Sequence, residues 1–225
     1  MPGRKKLEPR QIQQVALDLV DRDGLHALTM RSLAHELGTG TMTLYGYVAD
    51  RAALDALVVA AVLDEARPEP ANVDAKGGAG ADGEEWRAQT AALALAAWRA
   101  ICAHPNAIPL ILTVRLSAGP ALTHGEALVA ALAGSGLQGA GLLAAFRAVH
   151  GFIVGQAQVQ AADLRLAVEK GAPDAAVSSA LALDRAQFPH LREIAAAAAQ
   201  TSPEAQFRAG LRIVLDGVAA AASVG

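Results

Sequence analysis

The sequence is poor in several residue types that would each announce a chemistry. One cysteine, Cys102, stands among 225 residues, which excludes an intramolecular disulfide and a thiolate metal cage; the residue reads as a small buried hydrophobe. Aromatics are two tryptophans, two tyrosines and four phenylalanines, so a core must be built from aliphatic side chains. No segment alternates apolar and polar residues with period two, so no sheet is predicted, and there is no internal repeat. GxSxG, HExxH, P-loop and paired-carboxylate spacings are all missing, so no catalytic residues, metal or cofactor are expected and the chain is not read as an enzyme. Gly78, Gly80 and Gly83 have GxGxxG spacing, but no strand precedes them and a dinucleotide site is not expected. The start, MPGRKKLEPRQIQQ, has charge without a following apolar stretch, unlike a secretory signal. The longest uncharged run, Ala127 to Phe146, carries Gly134, Ser135, Gly136, Gln138, Gly139 and Gly141 at its centre; it reads as two helices and a turn, not a membrane span. A cytoplasmic chain without a membrane partner is expected.

What is abundant is alanine, 54 residues, within a hydrophobic share of 53%. That is enough apolar material for a core, and an Ala/Leu/Val mixture suits close-packed helices. The all-α class follows. Net charge is −3, which by itself does not suggest nucleic acid. Its distribution does more, because Arg4, Lys5, Lys6 and Arg10 against Glu8 leave the first ten residues at +3, a basic arm in which Lys5 and Lys6 are candidate DNA contacts.

Ile12, Val15, Ala16, Leu19 and Val20 form the stripe of a first helix, ended by Asp23-Gly24. A second begins after Thr29 as N-cap and stops at Gly38. Thr41 is expected to cap a third, containing Met42, Thr43, Leu44, Tyr45, Tyr47 and Val48. Asp50 caps a fourth, with Leu54, Leu57, Val58, Ala61 and Val62 on one face. Residues 67–85 lose the pattern to Gly, Pro and charge. This divides the chain into a helical N-terminal region with its basic arm (1–50), a connecting helix (51–66), a linker (67–85) and a helical C-terminal domain (86–225). That last domain is read as helices from Glu85 to His104, Pro105 to Leu116 (proline-broken), Leu122 to Ala133 and Gly141 to Glu169. A polar connection follows, then helices from His190 to Ala199 and Glu204 to Ala222, the last opened by Ser202-Pro203.

Helices two and three meet the steric demand of a helix-turn-helix. Ala34 permits close approach, Gly38 makes the turn, and Leu33, Leu37 and Leu44 share an apolar contact, although Thr39 departs from the usual apolar residue there. Both tyrosines of the chain lie in helix three beside Thr41, Met42 and Thr43, where hydroxyls could reach phosphates and base edges. Arg31 and Arg51 flank that surface. The stretch LTMRSLAHELGTGTMTLYGYVADRAAL, Leu28 to Leu54, resembles the DNA-binding domain of the TetR family of bacterial transcriptional repressors, with LTxRxLAxxLG and TLYxxV in register. Residues 8 to 65 are covered by the resemblance, and Phe188 to Val218 is similar to the C-terminal end of the tetracycline-repressor-like branch. The resemblance implies an N-terminal three-helix helix-turn-helix domain and a C-terminal ligand-binding and dimerisation domain. It also implies that Arg31, Thr41, Met42 and Thr43 face bases, and that Tyr45, Tyr47 and Arg51 face the phosphate backbone.

By the same resemblance the chain is a ligand-responsive repressor that binds a palindromic operator as a homodimer and is released by a small molecule held among the C-terminal helices. The polar inventory of that region nominates Trp98, Thr113, Arg115, His150, Phe152, Gln156 and Gln160. The tetracycline repressors that the chain resembles hold a magnesium-chelated drug with histidine and glutamate, but the corresponding segments here are Leu110-Ile111-Leu112 and Gly155 to Val159, the latter without an acid, which speaks against a metal-bridged tetracycline and for an apolar effector with a few hydrogen-bonding groups. The rival readings are a constitutive or partner-controlled DNA-binding dimer without effector and, remotely, a helical enzyme.

Overall fold

The computed structural model describes residues 7–68, 82–113 and 120–223. Among them there is no strand, as the missing period-two pattern requires. The α-helices are α1 (Pro9–Asp23), α2 (Met30–Glu36), α3 (Thr41–Leu44), α4 (Arg51–Glu65), α5 (Asp82–Ala103), α6 (Ile108–Thr113), α7 (Pro120–Ala133), α8 (Gly139–Lys170), α9 (Ala175–Leu181), α10 (Pro189–Ala198) and α11 (Pro203–Ala222), with short 3-10 turns at Leu25–Ala27 and Pro105–Ala107. Lys5, Lys6 and Arg115, and the glycine spacing at 78 and 80, lie outside the described residues.

Compactness divides the chain into residues 1–73 with 96–130, and 74–95 with 131–225. This differs from the division at 67–85 drawn from composition. The reason is packing that composition does not reveal: the 3-10 turn at Pro105–Ala107 packs on α1 and α4, and α6 packs on α4. In the first unit α1 buries Ile12, Ala16, Leu19 and Val20 as expected, and also Leu17. Helix α4 was expected to be amphipathic, yet Val58 to Val62 are buried in succession. With α1 against part of its surface and α6 against another, no face of that stretch is left for water.

In the second unit α8 and α11 pack together. Val149, Ile153, Val154 and Ala157 of α8 are buried, as are Phe207, Leu211, Leu215 and Val218 of α11. Phe152 lies over Phe207 with ring centroids 5.3 Å apart and closes on Gly210, where an added Cβ would sit 2.7 Å from the ring. Among the described helices α8 alone is long and apolar enough to cross a membrane by length and composition. The run 127–146 does break where the glycines cluster, α7 ending at Ala133 and Gly136 taking φ 90 before α8 opens. Helix α9 falls in the stretch read as a polar connection; at seven residues it is too short for a periodic stripe to declare itself. Helix α5 begins at Asp82, a turn earlier than the end assigned to the linker.

Candidate nucleic-acid interface

The interface is built from α2, its following turn and α3, and local chemistry explains each boundary. The Thr29 hydroxyl oxygen accepts from the Ser32 backbone N–H at 3.1 Å, and the Thr29 N–H donates to the Ser32 hydroxyl at 3.0 Å. This reciprocal capping box is ordinarily worth about 1 kcal/mol. Ser32 also donates to the Ala27 carbonyl at 2.5 Å, which ties the preceding 3-10 turn to α2. At the other end Gly38 takes φ 63. The Thr39 N–H then reaches the Ala34 carbonyl at 2.9 Å and the Gly38 N–H reaches His35 at 3.0 Å. These are the paired bonds of a Schellman stop, which needs a residue that tolerates the left-handed region.

Helix α3 corrects the expectation in two respects. Gly40, not Thr41, is its N-cap, with no side-chain cap, and the helix ends at Leu44 rather than running to Val48. Beyond it the Gly46 N–H bonds the Thr43 carbonyl and the Tyr47 N–H the Leu44 carbonyl at 3.1 and 2.8 Å, so the last part is a run of tight turns. The Thr43 carbonyl stands 3.2 Å from where a Cβ on Gly46 would be. Leu33, Ala34 and Leu44 are buried and hold the two helices together. Leu37 is only half-buried.

With the apolar side buried, the opposite side is presented outward. Met42 is 81% exposed, Tyr45 and Tyr47 are exposed, and Thr41 and Thr43 are half-buried. Neither tyrosine serves as core. Arg31 is exposed and has no ion-pair partner among the described residues. Arg51 differs. Its Nη1 donates to the Leu28 carbonyl at 2.7 Å and its Nε pairs with Asp55 at 2.8 Å, so this guanidinium ties the start of α4 to the residue before the α2 cap. Asp50 caps α4 as expected, accepting from the Ala53 N–H at 2.8 Å. At the edge of the face Arg22 bridges Asp23 and Glu36 at 2.8 and 2.7 Å. The hydrogen bond from Arg22 lowers the Asp23 pKa, while both acids raise that of Arg22.

Of the nominated ligand residues, Trp98 and Thr113 belong to the first unit and His150, Phe152, Gln156 and Gln160 to the second. Trp98 is buried in α5, and the exposed Thr113 donates to the Pro109 carbonyl at 2.9 Å. His150 has its ring 5.7 Å from Phe146, and although the residue as a whole is exposed, partial desolvation lowers its pKa. Phe152 is committed to Phe207, and Gln156 and Gln160 are half-buried. Two grooves in the second unit are lined by other residues. One, about 680 Å³, runs between the first half of α5 and α11 past Arg87, Leu95, Arg208 and Leu215. The other, about 590 Å³, lies among α9, α10 and α11 past Val177, Leu183, Ile194 and Gln206. Burial pushes the Cys102 thiol up to about 11, so it stays protonated near neutrality. No cluster of His, Cys, Asp and Glu able to hold a metal occurs among the described residues.

Sequence reasoning missed one polar cluster in the first unit. His104 follows α5, its Nδ1 2.6 Å from Asp21 Oδ2 and its Nε2 3.0 Å from Glu65 Oε2. Asn106 Nδ2 donates to the Val20 and Asp21 carbonyls, each at 3.2 Å. The one signal available was a polar His-Pro-Asn step after an apolar helix.

Comparison with known proteins agrees with this architecture. The sequence model of the tetracyclin repressor-like C-terminal domain matches residues 79–222. An HTH-type transcriptional regulator of Saccharopolyspora erythraea is 31% identical over 150 residues, covering 67% of this chain and 59% of that protein. The HTH-type transcriptional repressor DrrR1 of Streptomyces coeruleorubidus is 31% identical over 190 residues, covering 83% of this chain and 63% of that protein. The chain thus spans about three-fifths of the length of these two curated relatives. The structure of the transcriptional regulator SCO7222, a TetR from Streptomyces coelicolor, superposes with a TM-score of 0.74 at 29% identity over 96% of this chain and 99% of that one.

Proposed function

Because the chain belongs to the TetR family of transcriptional regulators, we propose that it represses transcription by binding a palindromic DNA operator as a homodimer, and that a small apolar effector releases it. The observation that carries the reading is the outward α2–α3 face. Its apolar side is spent on the core, while Met42, Tyr45 and Tyr47 are exposed, as is Arg31, which has no ion-pair partner among the described residues. A helix-turn-helix that leaves this surface uncovered is shaped for the major groove. Arg31, Thr41, Met42 and Thr43 read base edges, Tyr45 and Tyr47 contact the backbone, and Lys5 and Lys6 add charge from the arm. Arg51 contributes to the backbone contact mainly through the fold it holds.

Dimerisation is supported by apolar side chains left open on the two longest helices of the second unit, Val159 and Val168 of α8 and Ile213 of α11, the last 71% exposed. Two reading heads would then stand about one DNA turn apart, roughly 34 Å. Both grooves of the second unit fall in the size range of small-molecule sites, and the one among α9, α10 and α11 has mostly aliphatic walls. These features support an apolar effector.

Selection of duplexes from a random library by the purified chain tests the reading. The expected product is a short palindrome bound with an affinity that falls steeply with salt, because each phosphate contact releases counterions. A thermal-shift screen across apolar metabolites and antibiotics tests the effector, since a ligand of the folded form raises its Tm. Recovery of no enriched sequence at any ionic strength would sink the reading.

A further inference from the structure

We propose that His104 is a positioning residue: clasped between the carboxylates of Asp21 and Glu65, its ring holds the end of α1 to the end of α4 and sets the pose of the α2–α3 face, which makes operator binding proton-dependent. The proposal rests on the DNA-binding reading above. Its chemistry follows from donor counting. A neutral imidazole has one N–H, whereas both ring nitrogens of His104 face a carboxylate oxygen at hydrogen-bond distance, 2.6 and 3.0 Å. Both bonds can form only when both nitrogens donate, so the ring that satisfies this site is the imidazolium. The two acids meet different ring nitrogens, which suits a bridging cation, and no cluster able to hold a metal occurs here among the described residues.

The side chain of His104 is only 12% exposed, so the bonds are shielded more than those of a surface pair. Burial opposes the charge, but the hydrogen bonds that the ring donates to Glu65 and Asp21 and the field of both carboxylates outweigh it and raise the pKa above its ordinary value. The charged neighbours are few. On α1 they are Asp21 with Asp18 and Arg22, the last held by Asp23 and Glu36; on α4 they are Glu65 and Asp64, with Arg67 just beyond. Helix α5 carries Arg99 and Cys102 before the histidine, and α6 has no ionisable side chain.

Each clamped helix is also tied to the reading unit. Arg22, next to Asp21, bonds Glu36 at the end of α2, and Arg51, at the start of α4, bonds the Leu28 carbonyl just before α2. A shift of α1 against α4 therefore reaches both ends of α2. Asn106 reinforces the clamp through the last carbonyls of α1, but it has no proton to lose.

The sign of the pH effect follows. A raised folded-state pKa means the clamp contributes fully below the free imidazole value of about 6.5 and is lost as pH rises through the folded value. The test uses the full chain with ¹⁵N-labelled histidine. The expected result is a His104 ring with both nitrogens protonated at neutral pH and a pKa that falls in D21N and in E65Q. In a parallel arm, the Kd for a duplex recovered by selection with the wild-type chain should weaken as pH rises, by about fivefold or more, the lower end of ordinary site coupling. H104Q, which keeps the size and one donor, should bind more weakly at low pH and lose that part of the pH profile, with the folded fraction verified by circular dichroism. A neutral His104 ring at neutral pH, or superimposable binding profiles of wild type and H104Q, would overturn the proposal. A clamp seen by NMR whose loss shifts Tm but not Kd overturns the positioning claim alone. A wild-type chain that enriches no duplex overturns the DNA-binding reading together with the positioning claim, while the ring protonation is still decided by NMR.

Discussion

Replacing Arg51 by alanine separates two roles that a single exposed arginine could have. The side chain is 55% exposed, which would suit a phosphate contact, yet two of its nitrogens are committed internally. Nη1 donates to the carbonyl of Leu28, a fully buried residue, at 2.7 Å, and Nε pairs with Asp55 at 2.8 Å. A hydrogen bond from a charged donor contributes about 1.5 kcal/mol at the low end of its range, the end appropriate to a half-exposed group. The i,i+4 ion pair adds about 0.3–0.5 kcal/mol. Arg51→Ala should therefore cost about 2 kcal/mol, which at a urea slope of about 2 kcal/mol/M lowers the midpoint by about 1 M. Arg51→Lys should recover only the pairing with Asp55, because one ammonium cannot reproduce a fork that serves two acceptors. Urea titrations followed by circular dichroism at one protein concentration measure both. If Arg51→Ala unfolds at the wild-type midpoint, the internal bonds carry nothing and the residue is free for phosphate. If the midpoint falls as expected, any loss of DNA affinity must be measured where both proteins are fully folded.

Other expectations are equally direct. Arg31→Ala, having no internal bond to lose, should leave the urea midpoint within about 0.5 kcal/mol of wild type while relaxing base preference in duplex selection; unchanged preference would remove it from the reading face. Gly38→Ala meets no atom within 4 Å, so its cost is backbone strain alone, about 1 kcal/mol, and Gly38→Asn should cost less; equal midpoints for all three would show that the turn relaxes. Gly210→Ala drives a methyl group to 2.7 Å from Phe152 and should cost about 1–3 kcal/mol. Phe152→Leu in the same chain should relieve part of that cost in a double-mutant cycle, and strict additivity would refute the contact. Leu44→Ala should cost about 2–5 kcal/mol, read from the same titrations, since Leu44 is fully buried between α2 and α3.

Local order was legible in the chain because local rules produce it. Thr29, Asp50 and Ser202 cap the helices expected of them: a cap joins a side chain to a backbone amide only two or three residues away. Gly38 makes its turn for the same reason, since the positive φ is a property of one residue. The aliphatic composition and the lack of alternation were sufficient for an all-helical class, and Leu33, Ala34 and Leu44 are buried while Met42, Tyr45 and Tyr47 are exposed. Where a residue's conformation was decided by contacts made elsewhere, the pattern was silent. The end of α3 at Leu44 and the burial of α4 through Val58 to Val62 depend on which surfaces meet. Arg51 looked like one more surface cation because its acceptor, the Leu28 carbonyl, is 23 residues away. His104 shows the limit most clearly: its two carboxylates come from 83 and 39 residues upstream. Helix periodicity acts over a few residues, whereas an ion bridge needs the chain already folded to bring its members within 3 Å. The order of residues therefore determined most of the helices and the caps at Thr29, Asp50 and Ser202; which charges were spent inside and which stayed open was settled by the folded chain.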